Sequence, residues 1–128
     1  MSAHTYVIAV AVETRYLSEQ SDPAAARFAF AFAYTIHIRN GGDIPAQLLD
    51  RHWKIVDGNG KVQEVKGPGV IREQPLIAPG ATYTYTSGCL LETPVGTMEG
   101  SYGMRATDGH SFNAPIALFR LAKPNALN

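Results

Sequence analysis

The chain has one cysteine, Cys89. An internal disulfide is therefore excluded, which fits a reducing compartment. No excess of either charge occurs either: 11 Lys and Arg balance 11 Asp and Glu, without a long run of one sign. Nucleic-acid binding needs a basic face, so nucleic acid is not expected as a partner. Apolar runs are short, and none approaches the roughly 20 residues of a membrane helix. No membrane association is expected. The opening segment "MSAHTYVIAVAVETRY" lacks a basic segment and a cleavage pattern and is read as a strand, not a leader. A convincing helical period is missing throughout. The expectation is one cytoplasmic domain over residues 1–128, and the 45% apolar content is enough to bury a core at that length.

What is present is alternation. In "FAFAFAYTIHIRN", Phe28, Phe30, Phe32, Tyr34, Ile36 and Ile38 share one parity, and small or polar residues share the other. That period marks a β-strand with one face in a core. "TYVIAVAVET", "QLLDRHWKIVD", "KVQEVKG", "ATYTYTSG", "GTMEGSYGMRAT" and "HSFNAPIALFRLA" follow the same grammar. Between them lie "NGGDIP", "DGNG", "APGA", "TPVG" and "TDGH", where Gly, Asn, Asp and Pro supply turn chemistry. "SEQSDPAAAR" is expected to be an irregular loop with at most one turn, Asp22-Pro23 providing a start signal. Seven or eight short strands with Trp53 buried on the third predict an all-β fold. Its expected form is an antiparallel two-sheet sandwich, immunoglobulin-like or fibronectin type III-like. A closed barrel is the alternative.

Five glycines in "DGNGKVQEVKGPGV" raise the question of a phosphate site. A dinucleotide fingerprint needs a strand, a glycine turn and a helix whose N-terminus holds the pyrophosphate. Here "GPGVIR" is followed by "EQPLIAPG", whose two prolines preclude an ordinary helix. Gly-Lys-Ser/Thr is absent, which removes a P-loop. Gly67 and Gly69 are then bend residues. The other reading is a weak anion nest of glycine amides with Lys61, Lys66, Gly67, Gly69 and Arg72.

Metal and catalytic patterns are equally sparse. His4, His37, His52 and His110 form no close-spaced ligand motif. His37 and His52 are placed on adjacent central strands, where they could meet; otherwise each is an ordinary sheet histidine. Glu19, Asp22, Glu73 and Glu99 are candidate magnesium ligands that no spacing groups together. Cys89 has no helix terminus to activate it, and the Gly-x-Ser-x-Gly elbow is missing. No enzyme and no cofactor are expected. Arg51 shares the parity of core Trp53, so it needs a partner, and Glu64 or Glu99 is the candidate.

The segments "YLSEQSDP", "FAYTIHIRN", "LLDRHWKIVDGNGKVQEVKGPGV", "EQPLIAPG", "YTSGC", "TPVGTMEGSY" and "FRLA" run in order along nearly the whole chain. In this combination the sequence resembles the bacterial ApaG proteins, also called CorD. The resemblance implies a fibronectin type III-like sandwich and a link to cobalt resistance and magnesium efflux, with no enzymatic activity. Similar domains in eukaryotic F-box proteins and in a polymerase-associated protein look like interaction modules. The family often carries a third glycine where this chain has Arg72. The expected function is a small non-enzymatic module that binds another protein, with a homodimer through an edge strand left open. The alternative is a phosphate-, pyrophosphate- or nucleotide-binding sensor using the loop from Gly58 to Arg72.

Overall fold

The structure, a computed structural model, describes residues 3–25 and 28–125. Within these residues eight strands follow in order: β1 (Ile8–Tyr16), β2 (Phe30–Asn40), β3 (Ala46–Asp57), β4 (Val62–Pro68), β5 (Leu76–Ile77), β6 (Thr82–Leu91), β7 (Val95–Ala106) and β8 (Ser111–Ala122). One 3-10 turn, Ser18–Gln20, precedes β2. It lies before Asp22-Pro23, the expected start signal; that pair instead starts a non-helical turn in which the Ala25 N–H donates to Asp22 O at 2.8 Å and the Ala24 N–H to Asp22 Oδ1 at 3.1 Å. Ala26 and Arg27, the end of "SEQSDPAAAR", lie outside the described residues. The strands form two antiparallel sheets, one ordered β1-β2-β6 and the other β4-β3-β7-β8, with β5 paired to the start of β3. The predicted all-β, two-sheet sandwich is the fold observed.

Alternation builds the core. Phe32, Tyr34, Ile36 and Ile38 of β2 face Trp53 and Ile55 of β3, Met98, Tyr102 and Met104 of β7, and Ile116 and Leu121 of β8. Trp53 lies edge-on to Tyr34, Tyr102 and Phe119, with ring centroids 5.5, 6.3 and 5.9 Å away. Such aromatic pairs add to the stabilisation from burial itself. Strand β3 switches parity midway. Leu48 and Trp53 are both buried although five residues apart, because the β3–β7 register shifts between Leu48 and Asp50. A bulge of this kind turns the following side chains to the other face. It brings Arg51 onto the inner side, next to Trp53.

Two pairings differ from the sequence reading. β2 and β3 are consecutive in the chain but belong to different sheets. His37 and His52 alternate with core Ile36, Ile38 and Trp53, so they lie on the outer faces of opposite sheets and do not meet. His37 bonds Glu13 and Thr84, its neighbours in the β1-β2-β6 sheet, at 2.9 Å each. His52 lies in the other sheet with its Nε2 3.7 Å from Glu64 Oε1. The expected Arg51–Glu64 ion pair is likewise absent, and Glu99 does not replace Glu64. Lys54 is the residue whose ladder partners are Glu64 and Glu99. Three register steps from Arg51, an odd number, both carboxylates belong to the opposite face of the sheet.

Candidate functional site: a cleft between two open strand edges

The sandwich has two sides. On one, β1 and β8 pack against each other. On the other, edge strands β6 and β4 stand apart, and a cleft opens between them. It runs in two halves of about 680 and 530 Å³. Tyr34, Arg51, Trp53 and Ser87 line both halves. Phe28, Val65 and Leu90 add apolar surface to the larger half, and Ile71 and Arg72 to the smaller. Exposed large apolar residues concentrate here: Phe28, Val65, Ile71 and Leu90 are 38%, 38%, 52% and 52% exposed.

Arg51 is the centre of the cleft. Its Nη1 donates to the carbonyls of Pro68 and Gly69, at 3.0 and 2.9 Å. Two bonds from one nitrogen hold the guanidinium plane in place. Gly67 sits across the ladder from Arg51, and a Cβ there would lie 3.2 Å from Nη1, so the missing side chain leaves room for the guanidinium. Arginine carries five N–H donors. The three on Nε and Nη2 have no acceptor among the described residues, and no carboxylate lies within ion-pair distance.

No neighbouring group neutralises this cation by ionising. Burial pushes the Tyr85 hydroxyl up to about 12, against the opposing hydrogen bond from Tyr102 and the pull of Arg51. Burial raises Tyr102 and Tyr34 as well, and Arg51 offsets this only in part. Tyr85 and Tyr102 share a hydroxyl–hydroxyl hydrogen bond of 2.5 Å. Burial also pushes the Cys89 thiol up to about 11, so at neutral pH it stays protonated and weakly nucleophilic. The cleft holds a fixed, uncompensated positive charge on an aromatic floor.

The residues expected in an anion nest are spread along β4. Lys61 lies before its first residue, with Nζ 3.4 Å from Glu92 Oε2. Lys66 pairs with His52 in the ladder. Gly67 belongs to β4 itself, so the bend is made by other residues. Gly69 adopts φ +62°, and its N–H donates to Leu49 O. The tight turn follows at Ile71 and Arg72, with φ of 47° and 64° and reciprocal Val70–Glu73 backbone bonds of 2.8 Å. The amides of Gly58, Asn59, Gly60, Lys61, Gly69 and Val70 all donate to protein acceptors. Lys61 and Arg72 are separated by the length of β4, roughly 20 Å. Of the five, Arg72 alone lines the cleft. Among the described residues no three His, Cys, Asp or Glu side chains stand together as a metal site. No helix among them is long and apolar enough to cross a membrane.

Sequence reasoning did not anticipate the cleft. One signal was available: "TYTYTSGCLL", the whole of β6, has no charged residue and no proline. What it could not convey is that β6 is an edge.

A two-sheet β-sandwich with one open side and a cationic, apolar cleft there defines a class of compact domain with a ready binding surface. The model of the family described as "ApaG domain" matches residues 18–106. Protein ApaG of Azotobacter vinelandii is 60% identical, and that of Pseudomonas aeruginosa 59%, each over all 128 residues and the full length of both chains. A crystal structure described as an ApaA protein from Bordetella pertussis superposes with a TM-score of 0.89 at 51% identity, covering 94% of this chain and 97% of that one. The chain belongs to the ApaG family.

Proposed function

We propose that the protein is a non-enzymatic cytoplasmic module that binds another protein through the cleft between β4 and β6. The observation that carries this is the pairing of an unprotected edge with an apolar trough. β6 offers ten residues of free strand edge, and the trough beside it gathers four of the exposed large apolar side chains. Main-chain pairing to an open edge supplies affinity, and the adjacent pocket supplies specificity. The link to cobalt and magnesium that the family resemblance implies is then exerted through the partner and not through a resident metal.

The test is site-specific photocrosslinking in Pseudomonas aeruginosa, whose own relative is 59% identical. A photoreactive residue replaces Leu90 in the cleft or, as control, Leu118 of β8, 57% exposed. The expected outcome is a discrete adduct from position 90 that position 118 does not give. Equal adducts from both, or none from 90, would remove the cleft from the proposal.

A second reading has one observation in its favour: Arg51 and Arg72 line the same half of the cleft. Two arginines suit phosphate or pyrophosphate. A phosphate or nucleotide sensor would use them in place of the loop amides, and its signature is a saturable response to inorganic pyrophosphate at Arg51 and residues 69–73.

A further inference from the structure

We infer that the occupant of the cleft is an extended segment of a partner protein that pairs with β6 and places an internal Asp or Glu carboxylate on Arg51. The inference rests on the protein-binding reading and names the chemistry of that same site.

Three observations converge. The first is the edge. Apart from β5, which is only two residues long, the other outer strands are guarded by charge or proline: Glu13 and Arg15 on β1, Glu64, Lys66 and Pro68 on β4, Pro115 and Arg120 on β8. Natural sheets use such residues to block unwanted pairing. β6 has none, and its backbone pairs only with β2.

The second is the direction of side chains. A strand added to β6 extends its sheet over the mouth of the cleft. Alternate side chains of that strand then point inward, toward β3 and β4. The inward row meets an apolar region at Ile55, Val65 and Cys89, then Arg51, then Ile71 and Arg72, while Leu90, across from Ala31, lies at the rim on the outer side of β6. The complementary segment alternates accordingly: apolar, acidic, apolar or acidic at every second residue.

The third is Arg51 itself. With Nη1 held by two carbonyls, Nε and Nη2 remain as a side-on fork. A carboxylate fits that fork with two parallel bonds. Arg51 is half-buried in an open cleft, so solvent meets its remaining donors, and a carboxylate delivered by a partner would replace that solvent with two charge-assisted bonds. The cleft continues on both sides of Arg51. That geometry favours an acid within a passing strand over a chain terminus, which would leave one half empty.

The experiment selects binders to the full-length chain from a displayed library of random dodecapeptides. Enriched sequences are made as capped peptides and titrated while backbone amides and the Arg51 side chain are followed by NMR. The expected result is enrichment of an acid flanked at i−2 and i+2 by apolar residues, with saturable shifts along residues 82–91 and at Arg51 Nε. Replacing the acid by its amide should weaken binding about tenfold. N-methylation of alternate peptide amides should abolish binding, because it removes the main-chain donors. The conservative variant Arg51→Lys keeps the charge and should erase most of the acid-over-amide preference.

Peptides that bind along β6 with no preference for an acid would overturn the carboxylate assignment and leave the protein-binding reading standing. Binders that map away from the cleft, or none at all, would sink both. A β6–β6 homodimer seen by sedimentation, or inorganic pyrophosphate saturating Arg51 and Arg72, would replace the acidic segment with a second copy or a free phosphate.

Discussion

The two sides of the sandwich solve the same problem in opposite ways. Each sheet ends in outer strands whose backbone groups lack a neighbour. On the β1/β8 side the strands pack together. The segment before β1 closes that corner, with Tyr6 stacked on His110 at 4.1 Å and bonded to Asp108. Charges and a proline guard both strands there. On the β6/β4 side only β4 is guarded, the strands stand apart, and the cleft carries a cation with three of its five donors free. A protein that needed only to fold could have closed both sides alike. The asymmetry separates stability from recognition, with one side completed by the chain and the other by something else.

The largest expected effect lies where β4 leaves the sheet. Gly69 has φ +62°, and a Cβ there would sit 2.1 Å from the Glu73 carbonyl oxygen. Gly69→Ala should cost about 3 kcal/mol, from backbone strain and the clash together. Gly88 in β6 is the matched control. A Cβ there meets only the Phe32 carbonyl oxygen, at 3.5 Å. Gly88→Ala should change stability by no more than about 0.5 kcal/mol. Urea unfolding midpoints decide it, and equal losses at the two positions would mean that β6 is as built-in as the β4 corner.

The next effect tests the aromatic core directly beneath the cleft by pH. Tyr85 and Tyr102 both have raised pKa values in the folded state, Tyr85 at about 12. In the unfolded chain both ionise near the ordinary value of about 10. Their contribution is fully present below pH 10 and is lost as pH rises through the folded values. Between pH 9 and pH 11 the two together should remove about 2 kcal/mol of stability. The double variant Tyr85→Phe/Tyr102→Phe should lose that much less over the same interval. Indistinguishable slopes would show that the core beneath the cleft is hydrated enough for the hydroxyls to ionise in place.

These contrasts also mark what could be read from the sequence. The alternation of β2 and the placing of Trp53 on β3 follow from local period, and both hold. The meeting of His37 with His52 does not, because side-chain period says which face a residue takes and not which sheet its strand joins. The pairing of Arg51 with Glu64 or Glu99 fails for a related reason: the register of β3 with β4 and β7 sets both carboxylates across from Lys54, on the opposite face from Arg51. The bulge at Leu48–Asp50 is equally hidden, a single extra residue in "QLLDRHW". The turn at Ile71–Arg72 carries none of the Asn-Gly chemistry that announces such turns, so the bend was assigned to Gly67 and Gly69 instead. The absence of charge in β6 was plain in the sequence. Its meaning depended on β6 crossing back to pair with β2, a long-range fact.

The smallest effect on stability is the most informative about the cleft. Ser87 of β6 lines both halves of it together with Arg51. Ser87→Glu places on this edge the charge that the other three already carry, and it offers Arg51 a carboxylate from within the chain. A partly exposed pair of this kind contributes little, so unfolding midpoints should move by no more than about 1 kcal/mol, toward stability if anything. Recognition should respond far more strongly, with the Leu90 crosslink lost and selected acidic peptides no longer bound. The control is Ser87→Gln, of the same shape without the charge, which should leave peptide binding largely in place. If both variants lose binding alike, the trough accepts no bulk at that position and the charge of Arg51 is incidental. If only Ser87→Glu loses it, the open side of the sandwich is a site waiting for a carboxylate.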